Sequence, residues 1–326
     1  MHPADRVSPF LSAFKTLLCA LLGLVYLQLS PLSASAQALS QLAGAASGIP
    51  VLDPLPVNPP AAAWTAPGLT AHFINVGQGD AIYLELPGGE NALIDGGPSS
   101  SASGPLARFL SDRGVTRIDH VVLTHPHSDH FKGLSYVFSN LTVGSFYDTR
   151  MNNTGASTDE VIREKAAAQG VAAYYPAPGD SYTWGDGVQV KVFNGCPGPV
   201  ASSNGDAINS CSITMKVSYG NSSILFTGDI EGEVEAALVS SFGEQLRSGA
   251  LKVPHHGSQY SSTAAFLKAV SPSKAFIEVG KNSYGHPTQT ALDRLLAGCE
   301  VYRTDLAGTM VYSPEALPAA DPAVAE

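Results

Sequence analysis

The segment that most limits what this chain can become is Leu123-Thr124-His125-Pro126-His127-Ser128-Asp129-His130. Three imidazoles and a carboxylate fall within six residues, in a chain with nine histidines. The apolar run Ile118-Asp119-His120-Val121-Val122-Leu123 just before it reads as a short buried strand, and Pro126 bars a helix through the cluster. The cluster is therefore expected on a loop at a strand's end, where side chains converge from an irregular backbone. In an extended or turn backbone His125 and His127 point the same way, as two ligands of one cation do. Asp129 and His130 then turn toward a second position. Imidazole nitrogen with carboxylate oxygen suits borderline divalent metals, with zinc the default. A polar surface loop that happens to be rich in histidine is the bland alternative, and this density of ligand types argues against it.

Other strand ends add candidates. Phe226-Thr227-Gly228-Asp229 sets a carboxylate just past a buried strand, where it can bridge two cations close enough to share one hydroxide. Alone it would read as a turn or helix-cap aspartate; beside the histidine loop the ligand reading prevails. Val253-Pro254-His255-His256-Gly257-Ser258 ends another strand, and Tyr284-Gly285-His286-Pro287 precedes a helix that Thr288 can cap. Asp80 and Asp95 also end strands, either as acceptors for ligand imidazoles or as plain turn residues. No Walker-type loop, nucleophile elbow or basic-aromatic stripe competes with the metal site.

The H-x-H-x-D-H pattern of residues 125–130 resembles the signature of the metallo-β-lactamase superfamily. Phe73-Ile74-Asn75-Val76-Gly77-Gln78-Gly79-Asp80-Ala81, Leu93-Ile94-Asp95-Gly96-Gly97, Phe226 to Asp229, Pro254 to Ser258 and Tyr284 to Pro287 follow in the order of one subfamily. That subfamily is the hydrolase domain of ComEC-type competence proteins, which serve DNA uptake in bacteria, with its free-standing secreted relatives. The resemblance covers roughly residues 69 to 312 and is more specific for fold and metal than for substrate. It implies an α/β fold, the αββα sandwich of two mixed sheets between helical layers.

The same resemblance implies a site of two divalent metal ions, zinc first and manganese as the alternative. One metal would have Asp129, His130, Asp229 and His256; the other would have His125, His127 and a shared Asp229. His256 matches the last histidine ligand by its place before Gly257, and His255 would face the substrate or orient a neighbour. Those two roles can be exchanged, since adjacent strand-end residues point to opposite sides. His286 would reach the substrate side, to contact a phosphate or protonate a leaving oxygen. Asp129, His255 and His286 form the expected catalytic set. The activity implied is attack by a metal-bound hydroxide on a phosphodiester, as in a nuclease or phosphodiesterase. Ester, lactone or β-lactam hydrolysis on the same fold is the second reading, and a non-catalytic metal-stabilised binding protein the third. One departure stands out. Superfamily members with a complete dinuclear site supply a further histidine to the His125/His127 metal, yet none lies between His130 and His255. Asp206, Asn209 and Cys211 are the substitutes on offer, with water or substrate as the alternative.

Composition bounds the rest. At 44% hydrophobic and 14% charged, the 326-residue chain can build a sizeable core. Residues 1–36 carry Arg6 and Lys15, an apolar run from Thr16 to Leu29, and small residues through Ala36, the pattern of a cleaved secretory signal. Residues 37–65 read as an Ala/Pro-rich linker, 66–312 as the hydrolase domain and 313–326 as a flexible tail, in a secreted or periplasmic protein. Loss of Arg6, Lys15 and Asp5 would move the net charge from −10 to −11. Such a balance offers no broad footprint for phosphate polymers. The expected partner is therefore a small or short phosphodiester, with nucleic acid admitted but not tightly bound, and no membrane once the signal is removed. In an oxidising compartment Cys196 and Cys211 could pair, which would withdraw Cys211 as a ligand and leave Cys299 as a buried thiol.

Overall fold

The computed structural model describes residues 68–156 and 159–314. The expected signal, the linker and nearly all of the tail lie outside the described residues. Apolar runs such as Val121-Val122-Leu123 and Ile224-Leu225-Phe226 lack polar alternation because both faces of their strands are covered. Val122, Ile224 and Phe226 face a core between two sheets. Val121 and Leu123 face helices on one outer side, and Leu225 faces helices on the other.

The first sheet uses β1 (Thr70–Phe73), β2 (Ile82–Glu85), β3 (Asn91–Ile94), β4 (Arg117–Leu123) and β5 (Thr142–Asp148). After β6 (Met151–Asn153) comes β7 (Ala172–Tyr174), its edge strand. The second sheet is built from β8 (Ser181–Trp184), β9 (Val188–Asn194), β11 (Thr214–Tyr219), β12 (Ser222–Phe226), β13 (Ala250–Lys252), β14 (Lys274–Ile277) and β15 (Glu300–Arg303). The short β10 (Val200–Ser202) pairs with β6 alone, and β16 (Met310–Tyr312) returns to close the first sheet against β1. The orders are β16-β1-β2-β3-β4-β5-β7 and β15-β14-β13-β12-β11-β9-β8. Each sheet has an antiparallel half and a parallel half: β3, β4, β5 and β7 run parallel, as do β12 to β15.

Phe73 of one sheet and Phe276 of the other stack at 4.2 Å between ring centroids, and Trp184 is buried in the same layer. Helices α1 (Pro105–Asp112), α2 (Ser128–Phe131), α3 (Leu134–Asn140) and α4 (Glu160–Ala168) follow strands of the first sheet. Leu110, Val137 and Ile162, from α1, α3 and α4, seal its outer face. After α5 (Gly205–Ser210), the second sheet is covered by α6 (Gly232–Phe242), α7 (Ala264–Val270) and α8 (Gln289–Leu296) through Leu238, Phe266 and Leu295; α9 (Thr304–Ala307) leads into β16. This is the αββα sandwich. Among the described residues no helix is long and apolar enough to cross a membrane.

Two details depart from expectation. The metal loop is half helical: its second part, Ser128–Phe131, forms α2 with His127 at the cap position. Pro126 blocks a helix running in from β4 but leaves one free to start two residues later. Asp80 does not end a strand: β1 stops at Phe73, and Ile74 to Val76 continue without strand pairing except one bond from the Ile74 amide to the Ala81 carbonyl. Cys196 and Cys211 are joined, and Cys299 is free with its thiol pushed up to about 11 by burial.

Two tests follow from this packing. Phe73→Ala removes a fully buried ring stacked across the sheets and should cost about 3–5 kcal/mol in denaturant unfolding; a loss below about 1 kcal/mol would mean that the inter-sheet layer is not built on this contact. Protein lacking residues 1–36, denatured without reductant, should label one thiol, Cys299. Three labelled thiols would show that the pair is not formed.

Candidate metal centre

The parallel halves of both sheets end on one side, and their exits carry the chemistry. Asp95 follows β3, Thr124 to His130 follow β4, Asp229 follows β12, His255 and His256 follow β13, and Glu278 follows β14. The carboxyl ends of parallel strands are where α/β sheets offer an open crevice. Asp80 arrives from the Gly77–Gly79 turn, which lies against α2: the Asp80 amide donates to the Asp129 carbonyl at 3.2 Å. Gly79 is required there, because its φ is 128° and a Cβ would collide with that carbonyl.

Each of three buried imidazoles is anchored by Nδ1 and directs Nε2 inward. His130 Nδ1 donates to Asp95 Oδ2 at 2.8 Å. His125 Nδ1 donates to Thr124 Oγ1 at 3.1 Å, and that hydroxyl donates to Asp95 Oδ2 at 2.6 Å. His256 Nδ1 donates to the Glu278 carbonyl at 2.8 Å. Asp95 is thus no plain turn residue: its carboxylate orients His130 directly and His125 through Thr124, the arrangement that fixes the tautomer of a metal ligand. Burial lifts its carboxyl above the ordinary range although His130 pulls it down.

Inside this frame the free atoms converge. His130 Nε2 and His256 Nε2 lie 3.3 and 3.2 Å from Asp229 Oδ2, and His125 Nε2 lies 3.8 Å from it. Asp129 Oδ2 is 3.5 Å from His256 Nε2, and His127 Nδ1 is 3.0 Å from His125 Nε2. Ligand atoms of His125, His130 and Asp229 all lie within 4.8 Å of one another, as do those of Asp129, His130 and His256. The structure therefore brings together all six residues expected to hold metal, with Asp229 in the middle and His130 adjoining both groups.

Whether cations fit can be judged from the atoms left over. His130 Nε2, His256 Nε2 and Asp229 Oδ1 are buried without hydrogen-bond partners, a condition native structures rarely tolerate without a ligand or water. Asp80, Asp229 and Glu278 surround one buried ammonium, that of Lys252, while Asp95 and Asp129 lie against His130 and His256. Lys252 pairs directly with Asp80 and stands 3.7 Å from Asp229 Oδ1. Burial would raise Asp80, yet Lys252, His256 and His130 together hold it below the usual value. Burial would lower His130 and His256, yet Asp229 and its neighbours hold both well above theirs. The carboxylates thus draw positive charge onto the imidazoles, and divalent cations would supply that charge while displacing the protons. The donor set fits a divalent metal.

His255 and His256 both adopt left-handed backbone, with φ of 48° and 52°, an uncommon conformation for such residues. This kink separates their side chains. His256 turns into the cluster, while His255 stays half-buried, 2.9 Å from Glu231 Oε1 through Nδ1. His286 stands beside it at 5.2 Å between ring centroids, with Nδ1 unpartnered. Burial, helped by the positive charge of His255 and His256, pulls His286 down to about 4. Exposed Tyr284 lies 5.8 Å from the His286 ring. Of the substitutes for the absent histidine, Cys211 is in a disulfide, Asp206 is exposed and Asn209 is buried.

Sequence reasoning missed Lys252, Glu278 and Glu231. The first two carried a signal: each is a lone charge in an apolar strand-end run, Ala250-Leu251-Lys252-Val253 and Ile277-Glu278-Val279. Such residues are almost never fully buried unless paired. Glu231 looks like any first-turn acid of α6.

Comparison with known proteins agrees with this geometry. Residues 74–191 match the model of the metallo-beta-lactamase superfamily. The chain is 30% identical over 259 residues to ComE operon protein 3 of Bacillus subtilis (strain 168), covering 74% of this chain and 32% of that protein. It is 31% identical over 240 residues to competence protein ComA of Neisseria gonorrhoeae, covering 73% and 31%. The chain spans about a third of the length of these curated relatives. Among solved structures, the metallo-beta-lactamase fold protein YhfI of Bacillus subtilis aligns at a TM-score of 0.49 and 14% identity, over 75% of this chain and 99% of that one. The family match, with about 30% identity over more than two thirds of its length to two competence-operon proteins, places the chain in the metallo-β-lactamase superfamily, beside the corresponding part of ComEC-type competence proteins.

Proposed function

We propose that this chain is an exported hydrolase of small or short phosphodiesters, working with two divalent cations, zinc or manganese. The observation that carries the reading is the convergence of buried, unpartnered imidazole nitrogens with Asp229 at the ends of both parallel half-sheets, beside two half-buried histidines. Cations bound there would make a nucleophile of water near neutral pH and offset charge on the phosphoryl oxygens. His125, His127, Asp129, His130, Asp229 and His256 would hold them. Thr124, Asp95 and the Glu278 carbonyl keep the rings oriented, and Lys252 holds Asp80 and Asp229 in place. His286, neutral at physiological pH by its lowered basicity, would hydrogen-bond a phosphate oxygen or the leaving oxygen. His255, braced by Glu231, would position it.

The similarity to a competence protein favours a substrate derived from nucleic acid, while the net charge of −10 favours short pieces over long polymers. The leader-like residues 1–36 and the Cys196–Cys211 pair support export to an oxidising compartment.

Parallel assays with bis-p-nitrophenyl phosphate, short oligonucleotides and a chromogenic cephalosporin test the reading. Phosphodiester turnover that disappears with chelator and returns with zinc or manganese is expected. Turnover of the cephalosporin alone would move the site to carbon-centred hydrolysis, and no turnover in metal-loaded protein would leave a binding protein. Among variants, Asp229→Ala removes the carboxylate expected to serve both cations and should lose both metal and activity. His125→Ala should leave one cation bound while turnover falls about a thousandfold or more. Metal analysis of the two decides the assignment: a full complement in Asp229→Ala, or none in His125→Ala, would contradict it.

A further inference from the structure

His125, His127 and Asp229 offer one cation three protein ligands, fewer than the other position has. The region facing them is the short helix α5 and the turn after it. At one end, a Cβ on Gly205 would stand 3.9 Å from His127 Nε2. At the other, Ser212 Oγ accepts from the Asp229 amide at 3.0 Å, and the Ile213 amide donates to the Thr124 carbonyl at 2.9 Å, next to His125. The segment therefore spans the gap from His127 to Asp229. Gly205 and Asn209 share a helix face at i, i+4 spacing. Ser212 follows within the same turn, its amide donating to the Asn209 carbonyl at 2.9 Å.

Asn209 is 4% exposed and its Oδ1 has no hydrogen-bond partner. A buried amide oxygen without a donor is an uncompensated desolvation, and native chains keep few of them. The rival side chains are set aside by the same structure: Cys211 is bonded to Cys196, and Asp206 is exposed where Asn209 is buried. The segment is also firmly held. Asn204 caps it through Oδ1 to the Ala207 amide, and Asn194 Nδ2 donates to the Ser210 and Ser212 carbonyls at 2.9 and 2.8 Å.

We infer that Asn209 Oδ1 completes the coordination of the cation held by His125 and His127. The inference rests on the reading of the site as a two-cation centre. An amide oxygen is a neutral, hard ligand that binds more weakly than imidazole and suits manganese better than it suits zinc. The two positions therefore differ in kind: one has two imidazoles and two carboxylates, the other carries an oxygen where the family places a nitrogen. The second position is the exchangeable one, with a relative preference for harder cations.

The test uses the full chain, stripped with chelator, and titrates manganese or zinc by calorimetry with metal analysis. Wild type should take two cations with unequal affinities. Asn209→Leu, matched in size but without the oxygen, should keep the tighter cation and bind the weaker at least about tenfold less well, at or beyond the range seen when a supporting residue is lost. Asn209→Asp, which keeps the oxygen and adds charge, should bind the weaker cation more tightly than wild type. Circular dichroism in chelator checks that each variant is folded. Unchanged affinities in Asn209→Leu, loss of both cations together, or no gain in Asn209→Asp would each overturn the assignment. The readout is cation affinity, so it is separate from the substrate question. Protein that hydrolyses phosphodiesters yet ignores Asn209→Leu keeps the proposed function and loses this inference, and the reverse pattern does the opposite.

Discussion

The carboxylate of Asp95 governs the site more than any metal ligand does. It accepts from the Thr124 amide at 2.8 Å, the Thr124 hydroxyl at 2.6 Å and His130 Nδ1 at 2.8 Å. A buried carboxylate survives only when its oxygens are met by donors, and here every donor belongs to the metal loop. Meeting that demand fixes the exit of β4, the tautomer of His130 and, through Thr124, the ring of His125. The loop backbones interlock as well, since the Gly96 amide donates to the His130 carbonyl at 2.6 Å and the Gly133 amide to the Gly97 carbonyl at 3.1 Å. Two of the six donor residues, His125 and His130, are therefore oriented by protein contacts alone.

Lys252 does the equivalent work for the second sheet. Its ammonium is buried at the end of β13 and joins Asp80, from the first sheet, to Asp229, from the second. Removing one member of such a group would strand the others as uncompensated buried charges, a loss far larger than that of a surface pair. The apolar layer around Phe73 and Phe276 holds the sheets face to face, but it is indifferent to small slides along the strands. Charge pairing across the seam supplies the direction that apolar packing lacks. Glu278 fits this picture: burial and the charge of Asp80 push its carboxyl well above the ordinary range, Lys252 and the Ala81 amide pull it back, and its Oε1 accepts from that amide at 3.0 Å.

What could be read from the sequence follows from what is local. The metal loop was legible because four ligand-type side chains in six residues suit little besides a cation, and the central strands because covering both faces leaves an unbroken apolar run. The helix expected after Pro287 is α8, and Thr288 caps it as its place in the sequence suggests, accepting from the Ala291 amide. The edge strands β6, β7, β8 and β10 escaped: they are short, exposed or polar, and β10 exists only because it pairs with β6. The choice between His255 and His256 stayed open because it turns on two successive left-handed residues, which strand-like alternation does not describe. Lys252 and Glu278 became meaningful only when the fold put carboxylates from distant segments around them.

The segment between β10 and β11 shows how a weak local element can still be exact in place. Six residues cannot sustain a helix on their own, because nucleation costs more than so few bonds return. Its position comes from outside: the Asn204 cap, the Asn194 side chain on its final carbonyls, and the bond from Cys211 to Cys196 just after β9. None of these supports engages the Asn209 side chain, so they fix the helix without occupying that position. Asn209 is the side chain they leave unsatisfied. A bare amide oxygen in a place so firmly held, on the helix that faces His127, is what the proposed ligand position requires.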